Sequence, residues 1–302
     1  MPFSLSECRE YAGALGLEMT DFQIAELYMV LGGIPYYWKY LDRSLSPAQN
    51  IDEMFFAGSD KLENEFFELY SSLFKKKEAY MRIVSALGTK RGGLGRGEIA
   101  SVAKVSDSGT LTKYLDELEQ CGFIRRYVLP GRRKKGAIFQ LMDNFTLFNF
   151  RFIADNPMHD RHRWTSSLGT PAHSTWEGLA FERLCLWHVE EIKRALQIGG
   201  VLTNTFGWRH PAYADGGRGA QIDMLIDRAD GIVNICEMKF CDGPYAITAG
   251  DAESMRRKKE VFRRETATRK ALHVTYVTPF GLARNAYAND VQSEVTLRDL
   301  FA

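Results

Sequence analysis

Three charged residues near the end of the chain, Asp223, Glu237 and Lys239, have the types and spacing of a metal site. The first two lie in largely apolar segments separated by Asp230-Gly231, a pair typical of a tight hairpin turn. Side chains alternate along a strand, so Glu237 and Lys239 should share one face of the second strand. Antiparallel pairing across the turn would bring Asp223 beside Glu237. The pattern therefore predicts two carboxylates and one ammonium group around a divalent metal ion.

This arrangement resembles the active site of the PD-(D/E)xK nuclease superfamily, in which an Asp is followed by Glu-x-Lys on the next strand. The resemblance implies that Asp223 and Glu237 hold Mg²⁺ or Mn²⁺, since Mg²⁺ prefers carboxylate and water oxygens. It also implies that the ion lowers the pKa of a bound water and neutralises charge on the scissile phosphate. Lys239 would then position or polarise that water. The proline of the superfamily's name is replaced here by Ile222, a change that many members tolerate.

The segments around these residues predict an α/β domain. Apolar residues at helical spacing predict one long helix over Trp176–Leu196. The elements predicted after it are strands at 201–208, 216–227 and 231–240, a helix at 249–264 and a β-branched strand at 271–280. This order matches the restriction-endonuclease-like core, whose first helix often supplies a further acidic residue. The resemblance makes Glu182 the candidate for that role, with Glu177 as the alternative.

The middle of the chain, residues 75–150, has the proportions of a winged helix-turn-helix domain. Three helical segments are followed by two short strands joined by a turn rich in Arg and Lys. Helices with a basic hairpin form a common DNA-binding layout. We expect phosphate contacts from the third helix and from the turn, through Lys113, Arg132, Arg133, Lys134 and Lys135. A solvated basic loop, or a docking surface for another domain, is the alternative interpretation.

The net charge of +1 over 302 residues hides a strong asymmetry along the chain. Residues 1–74, which are predicted to be helical, contain 4 Lys or Arg against 12 Asp or Glu. Residues 75–135 contain 15 Lys or Arg against 6 Asp or Glu. A basic middle favours nucleic acid as its partner, DNA rather than RNA in the first instance, or else an acidic neighbouring segment.

Several further stretches resemble the C-terminal portion of a family of bacterial and archaeal AAA-type ATPases. They are LGGIPYYW at 31–38, FQLMDNFTLFNFRF at 139–152, WEGLAFE at 176–182, and GAQIDMLIDR with NICEMKF between 219 and 240. In that family a P-loop domain is followed by a helical segment, a winged helix and a nuclease-like tail. The chain has no GxxxxGK[ST], and its PFSLSE at 2–7 matches the point just after the ATPase domain. We therefore expect no ATP site in this chain, and an ATPase domain or subunit as a second partner.

Together these patterns predict a multidomain α and α/β protein. The predicted domains are a helical segment at 1–74, a winged helix at 75–150, a connector at 151–175 and a nuclease-like domain at 176–302. Five scattered cysteines without a CxxC pair indicate reduced thiols and a cytoplasmic protein, and no apolar run is long enough to span a membrane. Three functions remain open: a metal-dependent nuclease that binds DNA, a DNA-binding or regulatory module with an idle nuclease fold, and a module that docks on an ATPase or another protein.

Overall fold

The structure is a computed structural model of the chain and describes residues 2–58, 62, 64–129, 136–154, 156, 160–212 and 218–302. The chain forms two compact units: Met1–Arg126 with Ala137–Leu184, and Tyr127–Gly136 with Cys185–Ala302. The first unit thus contains the predicted helical segment, the connector and most of the predicted winged helix. The units do not divide the chain after residue 74 or after residue 150, where the sequence predicts domain boundaries.

In the described residues, the N-terminal part of the first unit contains the helices α1 (Leu5–Ala14), α2 (Asp21–Leu31), α3 (Pro35–Trp38), α4 (Pro47–Phe55) and α5 (Glu65–Leu73). Capping boxes begin α1, α2 and α4, because a Ser or Thr oxygen accepts a hydrogen bond from a backbone N–H in the first turn. Gly32 ends α2 with a φ of 60°. A Cβ at Gly33 would lie 2.0 Å from the carbonyl oxygen of Phe3. The predicted helix break therefore has a steric cause that glycine alone satisfies.

Three helices and a small sheet follow: α6 (Lys77–Gly88), α7 (Arg96–Ala103), α8 (Gly109–Gln120), β1 (Leu94–Gly95), β2 (Ile124–Val128) and β3 (Ala137–Leu141). The strand order is β1-β3-β2, and β1 pairs with β3 antiparallel. Helix α8 buries Leu111, Leu115 and Leu118 on one face, as their spacing predicts. The predicted helices and strands of this region are thus observed.

Aromatic side chains pack in the interior of the first unit. After α9 (Asn144–Phe148) and a π-helical turn, Phe152 and Trp164 are buried against Trp176, with Phe152 centred 5.0 Å from Trp164 and 5.7 Å from Trp176. Buried Asp52 accepts hydrogen bonds of 2.8 and 3.1 Å from the backbone N–H groups of Trp164 and Thr165. Phe152 and Trp164, within the stretch 151–175 that is predicted as a connector, therefore belong to a core. Each large aromatic side chain buries about 150–250 Å². This burial favours packing of these residues in the interior, although the segment also contains His and Pro.

Helix α10 (Pro171–Trp187) leads from the first unit into the second. The second unit contains α11 (Val189–Ala195), β4 (Thr203–His210), β5 (Ala220–Arg228), β6 (Ile232–Met238), α12 (Ala249–Thr266), β7 (Ala271–Val277), β8 (Ser293–Val295) and α13 (Leu297–Leu300). The single long helix predicted over Trp176–Leu196 is wrong in one respect, because it is broken at His188. This residue is buried and has a ψ of 33°, which is outside the helical range.

The second unit is built on a five-stranded mixed sheet of order β4-β5-β6-β7-β8. Strands β4, β5 and β6 are antiparallel neighbours, whereas β6, β7 and β8 run parallel. A parallel pair needs a crossover connection, and α12 provides it between β6 and β7. The predicted order of three strands, a helix and a strand is observed, and β8 is an addition. None of the helices in the described ranges is long and apolar enough to cross a membrane.

Candidate functional site

The β5–β6 hairpin puts the two predicted carboxylates on neighbouring strands. Its turn passes through Gly231, whose φ of 87° lies in the left-handed region that favours glycine. The antiparallel pairing runs from this turn as far as Met224 opposite Cys236. Asp223 and Glu237 are the next residue on each strand, one step beyond that pair. The strands and the turn therefore agree with the sequence prediction.

A β-bulge interrupts β5 at Asp223. Between the regular pairs on either side, β4 has one residue, Gly207, where β5 has two, Asp223 and Met224. A bulge breaks the alternation of a strand and re-aims the side chain of the extra residue. One Asp223 carboxylate oxygen accepts a hydrogen bond of 2.8 Å from the side-chain amide of Gln221. The bulge and Gln221 thus contribute to the direction of Asp223, which alternation alone does not fix.

The Glu237 carboxylate lies between two lysine ammonium groups. One of its oxygens is 3.2 Å from Nζ of Lys239, and the other is 2.6 Å from Nζ of Lys258 on α12. Nζ of Lys239 also lies 3.6 Å from a carboxylate oxygen of Asp251, in the first turn of α12. The structure therefore brings Glu237 and Lys239 together as predicted. It adds Asp251 and Lys258, which the sequence analysis missed.

Burial and the neighbouring charges act in opposite directions on these carboxyl groups. Burial raises the pKa of Glu237, but Lys258 and Lys239 outweigh it and hold the pKa below its ordinary value. Burial likewise raises the pKa of Asp251, while hydrogen bonds from Thr248 and Tyr245 and the charge of Lys239 bring it below its ordinary value. Both carboxyl groups are therefore ionised at neutral pH. The Glu237 cluster, which consists of Glu237, Lys239, Asp251 and Lys258, thus contains two negative and two positive charges.

The helical spacing of α12 explains how Lys258 reaches β6. Asp251, Met255, Lys258 and Phe262 recur on one face of the helix, and Met255 and Phe262 are buried. This spacing is a signal from which Lys258 could have been identified. It places Lys258, within the basic run Arg256–Lys259, on the face of α12 that carries Met255 and Phe262.

Glu182 and Glu177, the acidic residues predicted to complete the site, belong to α10 within the first unit. The Glu182 side chain is only 7% exposed and forms a bidentate salt bridge with Arg91. A Glu177 oxygen lies 3.4 Å from Nε2 of His173. Both carboxylates thus have partners inside their own unit. A role for either of them beside Asp223 stays a prediction.

Of the predicted nucleic-acid contacts, the structure describes Lys113 on α8. Its side chain is 72% exposed, and its Nζ lies 3.8 Å from a Glu117 oxygen. The same helix carries Asp116 and Glu119, which both form salt bridges with Arg126. The exposed surface of α8 is therefore mixed in charge. Outside the described residues lie the four basic residues predicted at the hairpin turn, Arg132, Arg133, Lys134 and Lys135.

The predicted metal ligands are oxygen atoms, which suit Mg²⁺ or Mn²⁺. In the part of the chain that the structure describes, no group of three or more His, Cys, Asp or Glu side chains is arranged to hold a metal ion. Mg²⁺, however, commonly takes one or two protein carboxylates and completes its shell with water and substrate phosphate. Asp223 and Glu237 lie one step beyond the last pair of neighbouring strands, and joint binding of an ion by these two residues stays a prediction.

Comparisons with protein-family models, with curated proteins and with solved structures give no match for this chain. The family resemblances noted in the sequence therefore stay hypotheses.

The lowered pKa of Glu237 predicts how stability changes with pH. A carboxyl whose pKa is lower in the folded state stabilises that state above its unfolded pKa, and this contribution is lost as pH falls through the folded value. Glu237→Gln should therefore be less stable than wild type at about pH 7, and the difference should shrink below the ordinary pKa of 4.5. Urea unfolding between about pH 7 and about pH 3.5 measures this difference. Glu253→Gln, at an exposed position of α12, is the control. A Glu237→Gln difference that does not vary with pH would contradict the ion-pair assignment.

Proposed function

We propose that this protein cleaves phosphodiester bonds in nucleic acid, using Mg²⁺ or Mn²⁺ held by Asp223 and Glu237. The observation that carries this proposal is the Glu237-x-Lys239 pair at the end of β6, with Asp223 at the neighbouring position of β5. The order of elements in the second unit supports it, because this is the order that the resemblance to PD-(D/E)xK nucleases implies.

Each of the three residues has a separate role in the proposed reaction. A bound divalent ion supplies positive charge next to the phosphate and makes water more acidic. Asp223 and Glu237 provide the carboxylate oxygens that hold and orient the ion. Lys239, whose Nζ is 3.2 Å from Glu237, donates hydrogen bonds to the attacking water or to a phosphate oxygen. Its positive charge stabilises the negative charge that develops there.

The region 75–150 supports nucleic acid as the substrate. Helices α6, α7 and α8 and the three strands follow one another in the order of a winged helix-turn-helix. Residues 75–135 have an excess of basic residues, 15 against 6 acidic ones, and such an excess attracts phosphate. We assign binding of the nucleic acid to this region and the chemistry to the sheet of the second unit.

One observation favours a second function, a catalytically idle DNA-binding or docking module. Lys239 and Lys258 together engage both oxygens of Glu237. An ion-pair cluster of this kind neutralises a half-buried carboxylate without a metal ion, and breaking it is costly. The two functions differ in their response to divalent ions, which the nuclease requires and the idle module does not.

A cleavage assay distinguishes these two functions. We expect the wild-type protein to cleave single- or double-stranded DNA when Mg²⁺ or Mn²⁺ is present. Lys239→Ala should lower the rate by about 100-fold or more, because it removes a donor to the developing charge and keeps both carboxylates. Arg298→Ala, at an exposed position of α13, should cleave at the wild-type rate. A folded wild-type protein that cleaves neither substrate with either metal ion would favour the idle module.

The basic turn predicts a change in the salt dependence of DNA binding. Replacing Arg132 and Arg133 by Ala should weaken binding and make the log–log dependence of affinity on salt less steep, by up to about 0.9 for each phosphate that the protein no longer neutralises. Fluorescence anisotropy over a series of salt concentrations measures this slope. A matched pair of changes, Arg43→Ala with Arg298→Ala, removes the same charge at exposed positions outside 75–150. Equal slopes for the two double variants would favour a docking surface for another domain over a DNA-binding role of the basic residues.

A further inference from the structure

The salt bridge between Lys258 and Glu237 has no role in the chemistry proposed above, yet it engages a predicted metal ligand. Nζ of Lys258 lies 2.6 Å from one Glu237 oxygen, closer than Lys239 lies to the other. The Lys258 side chain is only 13% exposed. Charge-assisted hydrogen bonds of this length are among the strong ones in proteins. A metal ion that binds Glu237 through this oxygen must first displace the ammonium group.

We propose that Lys258 competes with the divalent cation for Glu237, so that its ammonium group occupies one Glu237 oxygen until the cation displaces it. This inference rests on the proposed function and concerns the same site. It assigns Lys258 as the residue that sets the affinity for metal.

The charges of the cluster support this competition. Glu237 and Asp251 contribute two negative charges, which Lys239 and Lys258 balance. A divalent cation next to Glu237 would therefore meet two ammonium groups at short range, and like charges repel strongly in a partly buried site. Removal of Lys258 leaves one Glu237 oxygen available and lowers this repulsion. Lys239 still contacts the other oxygen.

Lysine is suited to such a reversible contact. Its ammonium group is a compact charge at the end of a flexible four-carbon stem. It can therefore leave Glu237 by changes of side-chain rotamer, without movement of the helix. Met255 and Phe262, buried on the same face of α12, hold the helix backbone in place. We expect the exchange of cations to involve the Lys258 side chain rather than a rearrangement of the fold.

Mn²⁺ titration by calorimetry on the full chain tests the competition. Lys258→Met keeps the length of the side chain and removes its charge, and we expect it to bind Mn²⁺ roughly tenfold more tightly than wild type. Lys259→Met removes the same charge one position away. Lys259 lines a cavity of about 260 Å³ with Arg256, Val274 and Tyr276. This variant should bind Mn²⁺ with the wild-type affinity.

Each outcome of the titration has a definite meaning. Wild-type or weaker affinity in Lys258→Met, together with loss of Mn²⁺ binding in Glu237→Gln, would overturn the competition and leave the proposed function standing. Absence of Mn²⁺ binding in both wild type and Lys258→Met would overturn the competition and the proposed metal site together. If Lys258→Met does not fold, Lys258→Gln replaces it with the same expected direction. Melting curves without metal provide the folding check, and metal-free Lys258→Met should melt at a lower temperature than wild type.

Discussion

The half-buried Glu237 carboxylate needs positive charge close by, and the second unit is arranged to provide it. A carboxylate removed from water is costly unless cations and hydrogen bonds compensate for the missing solvation. Lys239 directly follows strand β6, which carries Glu237, and Lys258 comes from α12; each lysine contacts one oxygen of Glu237. The salt bridge between Lys258 and Glu237 also links α12 to β6. The need of the Glu237 carboxylate for nearby positive charge thus explains both the contact between α12 and β6 and the presence of two lysines beside this predicted metal ligand.

The topology of the sheet explains why α12 is available for this purpose. Strands β6 and β7 are parallel, so the chain must cross from the end of one to the start of the other, and α12 makes that crossing. Its first turn carries Asp251, held by a capping box with Thr248 and by a hydrogen bond from Tyr245. Asp251 in turn lies near Lys239. The start of the crossover helix therefore contributes a further charge to the group around Glu237.

The sequence predicts the parts of this site that depend on local signals. Asp230-Gly231 predicts the hairpin turn, and period-two alternation predicts that Glu237 and Lys239 lie together, as they do. Three features depend on packing between distant segments and were not predicted. These are the helix break at His188, the bulge that re-aims Asp223, and the contact of Lys258 with Glu237. A bulge needs the register of a partner strand, and the lysine contact needs the position of a helix relative to the sheet.

Joint binding of one divalent ion by Asp223 and Glu237, as proposed, can be observed in a crystal structure of the protein soaked with Mn²⁺. Anomalous scattering locates the ion independently of the side chains. We expect one strong anomalous peak within about 2.2 Å of an oxygen of each carboxylate, with Lys258 turned away from Glu237. No peak at this position at saturating Mn²⁺, with Lys258 still in contact with Glu237, would rule out joint metal binding and leave an ion-paired cluster.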